Sequence, residues 1–318
     1  MSRVIGRQAK VAPATRARVE AVIARMGYRP NPAAQALSRH RTDTLEVVVP
    51  LITRDFYVEV LRGIEIALST TSYSLLIRTI ERPEDRDVVF DALAIPGRAD
   101  GAIIVSHAPT PDLLQRIVRD HVPVVLVDAQ HQALPSVAVD HESAAATAVR
   151  HLIGLGHRRI ALVDHPMSAF AQGSPAGRRR GYRLALAEAG LPVVPANEMV
   201  AEFSPAGGEA ALRALLSQPE PPSALFVGSD RQASGIVAAA WRQGLRIPED
   251  LAIVGYNDID LASYLDLTTM RVPMREMGGC GVRMLLTALG GQAETSPHVL
   301  LAAELVVRGS SGASGKAI

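Results

Sequence analysis

The chain has 318 residues, which is too many for one small core and favours two or three domains. Hydrophobic residues make up 48% and charged residues 20%, as in ordinary globular proteins, and the longest apolar runs are strand-sized, which excludes a membrane-spanning helix. The single cysteine, Cys280, excludes an internal disulfide framework, and the arginine-rich stretch Met1–Gly27 lacks the unbroken apolar segment of a secretory signal, so we expect a cytoplasmic protein.

Positive charge is concentrated at the N-terminus. Residues 1–42 carry nine Arg or Lys against one acidic residue, although the net charge of the whole chain is only +1. Subtraction from the totals of 33 basic and 32 acidic residues leaves 24 and 31 for the remainder. A basic head of this kind is attracted to a polyanion such as nucleic acid. An arginine-rich solvated terminus has the same composition, so charge alone leaves both interpretations open.

Two short helices are predicted before residue 43. Residues 12–28 have Pro13 at the first helical position, apolar side chains at helical spacing and Gly27 as a stop signal. A second helix is predicted over Asn31–Ser38, because Asn31 can cap it and Pro32 can open it. His40–Asp43 is polar and is predicted to be a linker.

From Thr44 onward, apolar strand-like runs alternate with amphipathic helical stretches. The predicted strands are Thr44–Pro50, Tyr73–Arg78, Gly101–Val105, Val122–Val127, Ser136–Val139, Arg159–Val163, Glu198–Glu202, Ala224–Val227 and Leu251–Tyr256. The predicted helices are Phe56–Leu68, Pro83–Ala94, Pro109–Asp120, Glu142–Leu155, Arg178–Ala189, Gly207–Ser217 and Asp230–Gln243. The alternation predicts an α/β protein whose parallel sheets are covered on both faces, either as two Rossmann-like lobes or as a barrel. The Gly/Ser-rich segment 310–318 is predicted to be disordered.

Several motifs, in a fixed order, resemble the LacI/GalR family of bacterial regulators. They are VAPATRARVEAVIARMGYRPNPAAQAL (Val11–Leu37), LGHRRIALV (Leu155–Val163), GRRRGY (Gly177–Tyr182), GSD (Gly228–Asp230), LRIPEDLAIVGYND (Leu245–Asp258) and LTTMRVP (Leu267–Pro273). The resemblance implies a partial helix-turn-helix headpiece over 1–30, a hinge over 31–43 and a bilobed, periplasmic-binding-protein-like sensor over 44–309. It implies a first lobe of about 44–140 plus 273–296 and a second of 141–272 plus 297–309, with a ligand cleft between them.

The resemblance also implies how the N-terminal region reads DNA. MSRVI at Met1–Ile5 resembles the end of the family's recognition helix, so Ser2 and Arg3 are predicted to contact operator DNA, with Arg3 able to reach a guanine edge. The first helix of the motif is expected to be missing; a misassigned start codon is our preferred explanation and natural loss is the alternative. Asn31, Ala33 and Leu37 match the hinge helix that wedges a leucine into the minor groove. A capped linker helix between domains is the structural alternative.

The same resemblance assigns a set of effector-binding residues. Phe56, Tyr57 and Phe203 fall where relatives stack a ligand ring, although ordinary core packing would also explain them. The predicted polar groups are Ser106, Asp140, Arg178 and Asn257. Arg178 is predicted to open a helix and to offer a forked pair of donors, its alternative being a surface arginine. Asp230 is expected to cap its helix.

The sequence contains none of the common catalytic motifs, such as a Walker A loop, HExxH, a CxxC pair or G-x-S-x-G, so we predict a regulator and not an enzyme. Gly278–Gly281 is predicted to form a closely packed helix face, and the histidines lack metal-ligand spacing. We expect no cofactor, no metal and no membrane partner. The predicted partners are operator DNA, a small-molecule effector such as a sugar or nucleobase, and a second copy in a homodimer. A bilobed solute receptor without DNA-binding activity and, less directly, an enzyme on an α/β scaffold are the competing hypotheses.

Overall fold

The computed structural model describes residues 12–27, 41–93, 97–167, 173–291 and 297–312. The first helix, α1, spans Pro13–Met26, with proline in its first turn and Gly27 closing it at a φ of 58°. This confirms the helix predicted over 12–28. The predicted hinge helix and the predicted DNA contacts Ser2, Arg3, Asn31, Ala33 and Leu37 lie outside the described residues.

Strands and helices alternate through the rest of the described chain. The strands are β1 Thr44–Pro50, β2 Ser74–Ile80, β3 Gly101–Val105, β4 Val124–Val127, β5 Ser136–Val139, β6 Ile160–Asp164, β7 Glu198–Val200, β8 Ala224–Val227, β9 Ala252–Asn257, β10 Thr268–Arg271, β11 His298–Leu301 and β12 Glu304–Val306. The helices are α2 Asp55–Leu68, α3 Arg86–Leu93, α4 Pro111–Arg119, α5 His141–Gly154, α6 Gly173–Glu188, α7 Pro205–Leu216, α8 Asp230–Arg242, α9 Asp260–Tyr264 and α10 Met274–Leu289. In the described part of the chain, every helix is too short or too polar to span a bilayer.

The strands of the described ranges form two six-stranded sheets, one in each lobe. The first has the order β11-β5-β4-β3-β1-β2 and the second the order β12-β10-β9-β8-β6-β7. Neighbouring strands are parallel except β12, which runs antiparallel to β10. The inner strands β3, β4 and β8 are buried along their whole length, which explains why their sequences are apolar throughout. Two open sheets confirm the Rossmann-like lobes and exclude the barrel.

The chain passes between the lobes three times, after β5, after β10 and after β11. The third crossing differs from the predicted lobe boundaries, which placed all of 297–309 in the second lobe. Strand β11 instead pairs with β5 in the first sheet, from His298 opposite Ser136 to Leu301 opposite Val139. A side-chain hydrogen bond of 2.9 Å between Ser136 Oγ and His298 Nδ1 reinforces this pairing. The prediction was therefore wrong for 298–301, and the chain enters the second sheet only at β12.

The segment that follows β12 is ordered by buried serines. Ser310 and Ser311 are 4% and 1% exposed. Ser310 Oγ donates to the Ile253 carbonyl at 2.7 Å and accepts from the Thr268 amide at 2.9 Å, and Ser311 Oγ lies 2.9 Å from His151 Nε2. The predicted disordered tail was thus wrong for 310–312, because the Ser310 hydroxyl satisfies buried backbone groups and the Ser311 hydroxyl bonds to a side chain. Residues 313–318 lie outside the described residues.

Helices approach each other closely where glycine replaces a side chain. A Cβ on Gly278 of α10 would overlap the Val60 carbonyl of α2, and a Cβ on Gly181 of α6 would overlap the Glu142 carbonyl of α5. The first contact confirms the closely packed helix face predicted for Gly278–Gly281. The second fixes α6, which carries Arg178, against the second lobe.

Candidate effector cleft

A small cavity of about 50 Å³ lies between the lobes, at the carboxyl ends of the parallel strands. This is the edge at which open α/β sheets bind ligands. The residues that line the cavity are Arg54, Phe56, Tyr57, Asp128, His141, His165, Ser174, Arg178, Phe203, Gly228 and Asn257. Five of the seven predicted effector residues are therefore brought together here: Phe56, Tyr57, Arg178, Phe203 and Asn257.

Aromatic rings from both lobes face this cavity. Phe56 and Tyr57, at the start of α2, pack edge to face with ring centroids 5.3 Å apart. On the opposite lobe, Phe203 packs edge to face with His165 at 5.1 Å, and the Arg54 guanidinium crosses from the first lobe to lie 4.4 Å from the centre of the Phe203 ring. Such rings offer flat apolar faces to a planar or sugar ring.

A buried cluster surrounds Arg178 on the second lobe. Its Nε donates to Asp164 Oδ2 at 3.0 Å, and its Nη2 donates to Asp164 Oδ1 at 2.8 Å and to His165 Nε2 at 3.0 Å. Burial by itself would raise the pKa of Asp164, but the adjacent Arg178 charge, together with the hydrogen bonds from Arg178 and from the His165 amide, outweighs burial and holds that pKa below its usual value. Burial, helped by the same Arg178 charge, lowers the pKa of His165 to about 4, so His165 is neutral at neutral pH.

The prediction for Arg178 needs two corrections. Arg178 does not open a helix, since α6 begins at Gly173. Its forked pair of donors, predicted to face a ligand, binds Asp164 in this structure because the carboxylate ends β6 directly beside it. The side chain is 3% exposed and is therefore not a surface arginine. Its contact with an effector remains a prediction.

A second polar network closes the cavity on the side of the first lobe. Asp128, directly after β4, accepts a 2.6 Å hydrogen bond from Ser106 Oγ and lies 3.1 Å from His141 Nε2. His141 Nδ1 in turn lies 2.7 Å from the hydroxyl of Tyr256 in the second lobe. Ser106 stands behind Asp128 and does not line the cavity, which corrects its predicted position. His141 thus connects the two lobes at the wall of the cavity.

Three residues in the cavity wall or directly behind it have positive φ angles, although none is a glycine. Ser106, Asp128 and Asn257, each at the carboxyl end of a strand, have φ values of 55°, 58° and 107°. Side chains are seldom placed in this region without a structural demand, and such positions concentrate at functional sites. The local backbone therefore turns these polar side chains at the point where the strands reach the cleft.

Two predicted aspartates lie outside the lining of this cavity. Asp140 caps α5 by accepting from the amides of Glu142 at 3.1 Å and Ser143 at 3.0 Å. It also lines an adjoining pocket that shares Asp128, His141 and Ser174 with the cavity, so its contact with an effector remains a prediction. Asp230 is not the cap of α8, a role that belongs to Ser229. Asp230 instead is fully buried and accepts from Thr269 Oγ1 at 2.6 Å and from the Ile259 amide at 2.9 Å.

Sequence reasoning missed several residues of the cavity wall: Arg54, Asp128, His141, His165 and Ser174. The signal for two of them was present, because Asp128 directly follows the predicted strand Val122–Val127 and His165 follows Arg159–Val163 after one intervening residue, Asp164. The rule that polar residues after parallel strands face the cleft would have selected them. Arg54 carried no comparable signal, since its partner Phe203 lies far away in the sequence.

Comparison with known proteins connects this geometry to a family. Residues 149–311 match the model of the periplasmic binding protein-like domain, and residues 1–31 match the model of bacterial regulatory proteins, lacI family. The HTH-type transcriptional repressor CytR of Escherichia coli (strain K12) is 34% identical over 321 residues, which cover 98% of this chain and 92% of that protein.

Solved structures agree over the same length. The lac repressor dimer bound to operator and the anti-inducer ONPF has a TM-score of 0.86 and 27% identity, covering 98% of this chain and 94% of that chain. The complex of the transcriptional regulator CelR with cellobiose has a TM-score of 0.76 and 29% identity, with the same coverage. The chain therefore belongs to the lacI family of bacterial regulatory proteins: it is a DNA-binding transcriptional regulator with a periplasmic-binding-protein-like sensor, and not an enzyme.

Proposed function

We propose that this regulator is a cytoplasmic repressor that binds operator DNA as a homodimer and changes its DNA affinity when a small metabolite occupies the interlobe cleft. The observation that carries this proposal is the cavity itself, because both lobes supply aromatic rings and polar groups to its wall. A ligand bound there contacts both lobes at once, so it favours one relative arrangement of the lobes over others.

The relatives support the chemistry of the proposed partners. The CelR structure holds cellobiose and the lac repressor structure holds operator DNA, in each case at high overall similarity to this chain. A sugar or nucleoside suits the cleft, since rings pack on Phe56, Tyr57 and Phe203 while hydroxyl groups meet Asp128 and Asn257. A two-fold dimer requires a palindromic operator. For DNA we propose contacts from Ser2, Arg3, Asn31, Ala33 and Leu37.

Effector binding is tested by thermal stabilisation of the full chain against a panel of neutral sugars and nucleosides. A ligand that binds only the folded state raises the melting temperature. Phe203→Ala removes the aromatic wall and should abolish the stabilisation, whereas Trp241→Ala, at a 60% exposed position outside the cavity lining, should leave it unchanged. A ligand that stabilises both variants equally binds elsewhere and contradicts the proposed site.

DNA binding is tested by selecting duplexes from a random pool with the full chain and measuring their affinity by fluorescence anisotropy. We expect a palindromic consensus, steep dependence on salt and a loss of bending and affinity in Leu37→Ala, because the proposed leucine wedge opens a base step. The effector found above should shift this affinity in the wild type and not in Phe203→Ala. Selection of no consensus, or an affinity indifferent to the effector, would refute the proposed regulation.

A further inference from the structure

The ion pair between Asp164 and Arg178, in the wall of the cleft, is almost completely buried. Asp164 and Arg178 are 1% and 3% exposed, and two parallel hydrogen bonds join them. A buried charge is expensive unless a partner of opposite sign satisfies it, and a bidentate carboxylate is the partner that best fits a guanidinium. In this chain Asp164 supplies that partner from within the protein.

Two neighbouring residues accommodate the pair: Gly228 leaves space for it, and His165 accepts a hydrogen bond from Arg178. A Cβ on Gly228 would overlap Asp164 Oδ1 and would lie 2.9 Å from Arg178 Nε, so glycine leaves the space that the two charged groups occupy. His165 accepts from Arg178 Nη2 through Nε2, while its Nδ1 lies 3.2 Å from the Pro166 carbonyl, which can only accept. His165 is therefore a neutral imidazole with the proton on Nδ1, and it adds no positive charge to the cavity.

This arrangement decides which ligands Arg178 can recognise. Phosphates and carboxylates gain most from a guanidinium that offers two parallel N–H groups. The Nε and Nη2 edge of Arg178 already binds Asp164, and its charge is balanced there. On the opposite wall, Asp128 presents a carboxylate that repels an incoming anion. The remaining cation of the cavity wall, Arg54, lies over the Phe203 ring.

We propose that Asp164 is a specificity-determining residue: by neutralising Arg178 it excludes phosphorylated and carboxylated metabolites, so that the cleft accepts uncharged sugars or nucleosides. This inference rests on the proposed function, because it assigns a ligand class to the same cleft. It makes a claim about Arg178 that can be tested without knowing the natural effector.

The test uses inorganic phosphate as the probe, with sodium chloride at equal ionic strength as the reference. We compare the full-length wild type, Asp164→Asn and the double variant Asp164→Leu/Arg178→Met, which removes both charges at similar volume. Binding is measured by titration calorimetry and by thermal stabilisation at neutral pH. The wild type and the double variant should show no saturable phosphate binding, while Asp164→Asn should bind phosphate at least about tenfold more tightly than either, because its buried guanidinium is left unpaired.

Saturable phosphate binding by the wild type that the double variant lacks overturns the proposal, and so does a folded Asp164→Asn that binds no more phosphate than the wild type. An Asp164→Asn protein that folds in phosphate but not in chloride supports it. If that variant folds in neither salt, wild-type titrations with D-ribose 5-phosphate and with phosphate decide alone: binding that is lost in the double variant overturns the proposal, and its absence supports it. The proposed function fails independently of this test if the sugars or nucleosides that stabilise the wild type stabilise Phe203→Ala equally.

Discussion

Asp55 and Arg231 form an ion pair that joins the first lobe to the second: Arg231 Nη2 and Nε donate to Asp55 Oδ2 at 2.8 and 3.1 Å. Asp55 begins α2, and Arg231 lies in the first turn of α8. The preceding residue, Arg54, also crosses the cleft to reach Phe203. Two consecutive residues therefore hold the lobes together beside the cavity.

We expect the Asp55–Arg231 pair to stabilise weakly the arrangement of the two lobes seen in this structure. Both side chains are more than a third exposed, so solvent screening limits the coupling to no more than about 1 kcal/mol. A double-mutant cycle with Asp55→Asn and Arg231→Met, followed by urea denaturation, measures that coupling. Hydrogen exchange at the start of α2 should increase in Asp55→Asn, and the charge-exchanged pair Asp55→Arg/Arg231→Asp should restore part of the protection. Zero coupling with unchanged exchange would contradict the prediction.

Because α5 and α6 are in close contact at Gly181, we expect any side chain at this position to destabilise the protein. Gly181→Ala should lower the free energy of unfolding by about 1–3 kcal/mol or more, because its Cβ would overlap the Glu142 carbonyl and force the helices apart. Gly154→Ala is the matched control, since this glycine ends α5 with open space around it and an alanine there should raise stability by up to about 1 kcal/mol. Equal effects in urea denaturation would show that the close helix contact is absent.

The buried serine after β12 predicts a measurable role for the C-terminal segment. Ser310→Ala removes one donor and one acceptor from buried backbone partners, Ile253 and Thr268, and should cost about 1–3 kcal/mol. Ser263→Ala removes a hydroxyl from an exposed site and should change stability by less than about 0.5 kcal/mol. Differential scanning calorimetry of both variants distinguishes an ordered anchor from a dispensable tail, for which the two would behave alike.

Asp230 predicts an unusual dependence of stability on pH. Burial raises its pKa in the folded state to about 7, against an ordinary value of 3.8 for an aspartate in water. The folded state therefore retains a proton that the unfolded state releases, so the contribution of Asp230 to stability falls as the pH rises from about 4 to about 7 and is constant above that range. The difference in unfolding free energy between wild type and Asp230→Asn should follow this fall, by at most about 1.4 kcal/mol per pH unit.

Asp250→Asn provides the control for that experiment. Hydrogen bonds from the Arg246 side chain lower the pKa of this exposed carboxylate to about 2, so its contribution is present at neutral pH and is lost only as the pH falls below about 4. The two aspartates should thus respond in separate pH ranges and with opposite signs. A wild-type difference for Asp230→Asn that is flat between pH 4 and pH 7 would contradict the assigned pKa.

Where apolar pattern alone determines a strand, the sequence prediction is accurate. Thr44–Pro50, Gly101–Val105, Ser136–Val139 and Ala224–Val227 have their predicted bounds, because these strands are buried on both faces and contain few polar residues. Strand β10 was not predicted as a strand. Its Thr268 and Thr269 look polar locally, but both are fully buried, with hydroxyls bonded to the Arg308 carbonyl and to Asp230.

In the candidate site, too, some residues could be predicted from the local sequence and others could not. Residues after predicted strands, such as Tyr57 and Asn257, could be placed near the cleft by topology. The same rule also selects Asp164, which directly follows the predicted strand Arg159–Val163, but nothing in the local sequence indicates that its carboxylate binds Arg178, fourteen positions later. Helix α6 begins earlier than predicted for a related reason: a Gly- and Pro-containing start looks like a loop, but Gly177 and Gly181 lie against α5.

The position of β11 has a consequence for biosynthesis. The first sheet is complete only when residues 298–301 have joined β5, and the second only when 304–306 have joined β10. A nascent chain emerging from the ribosome therefore cannot finish the N-terminal lobe first, although domains that are continuous in sequence commonly do so. Translation that stops before residue 298 leaves β5 as an uncovered sheet edge, available to pair with a neighbouring chain, so the two sheets are both complete only after residue 306 has been made.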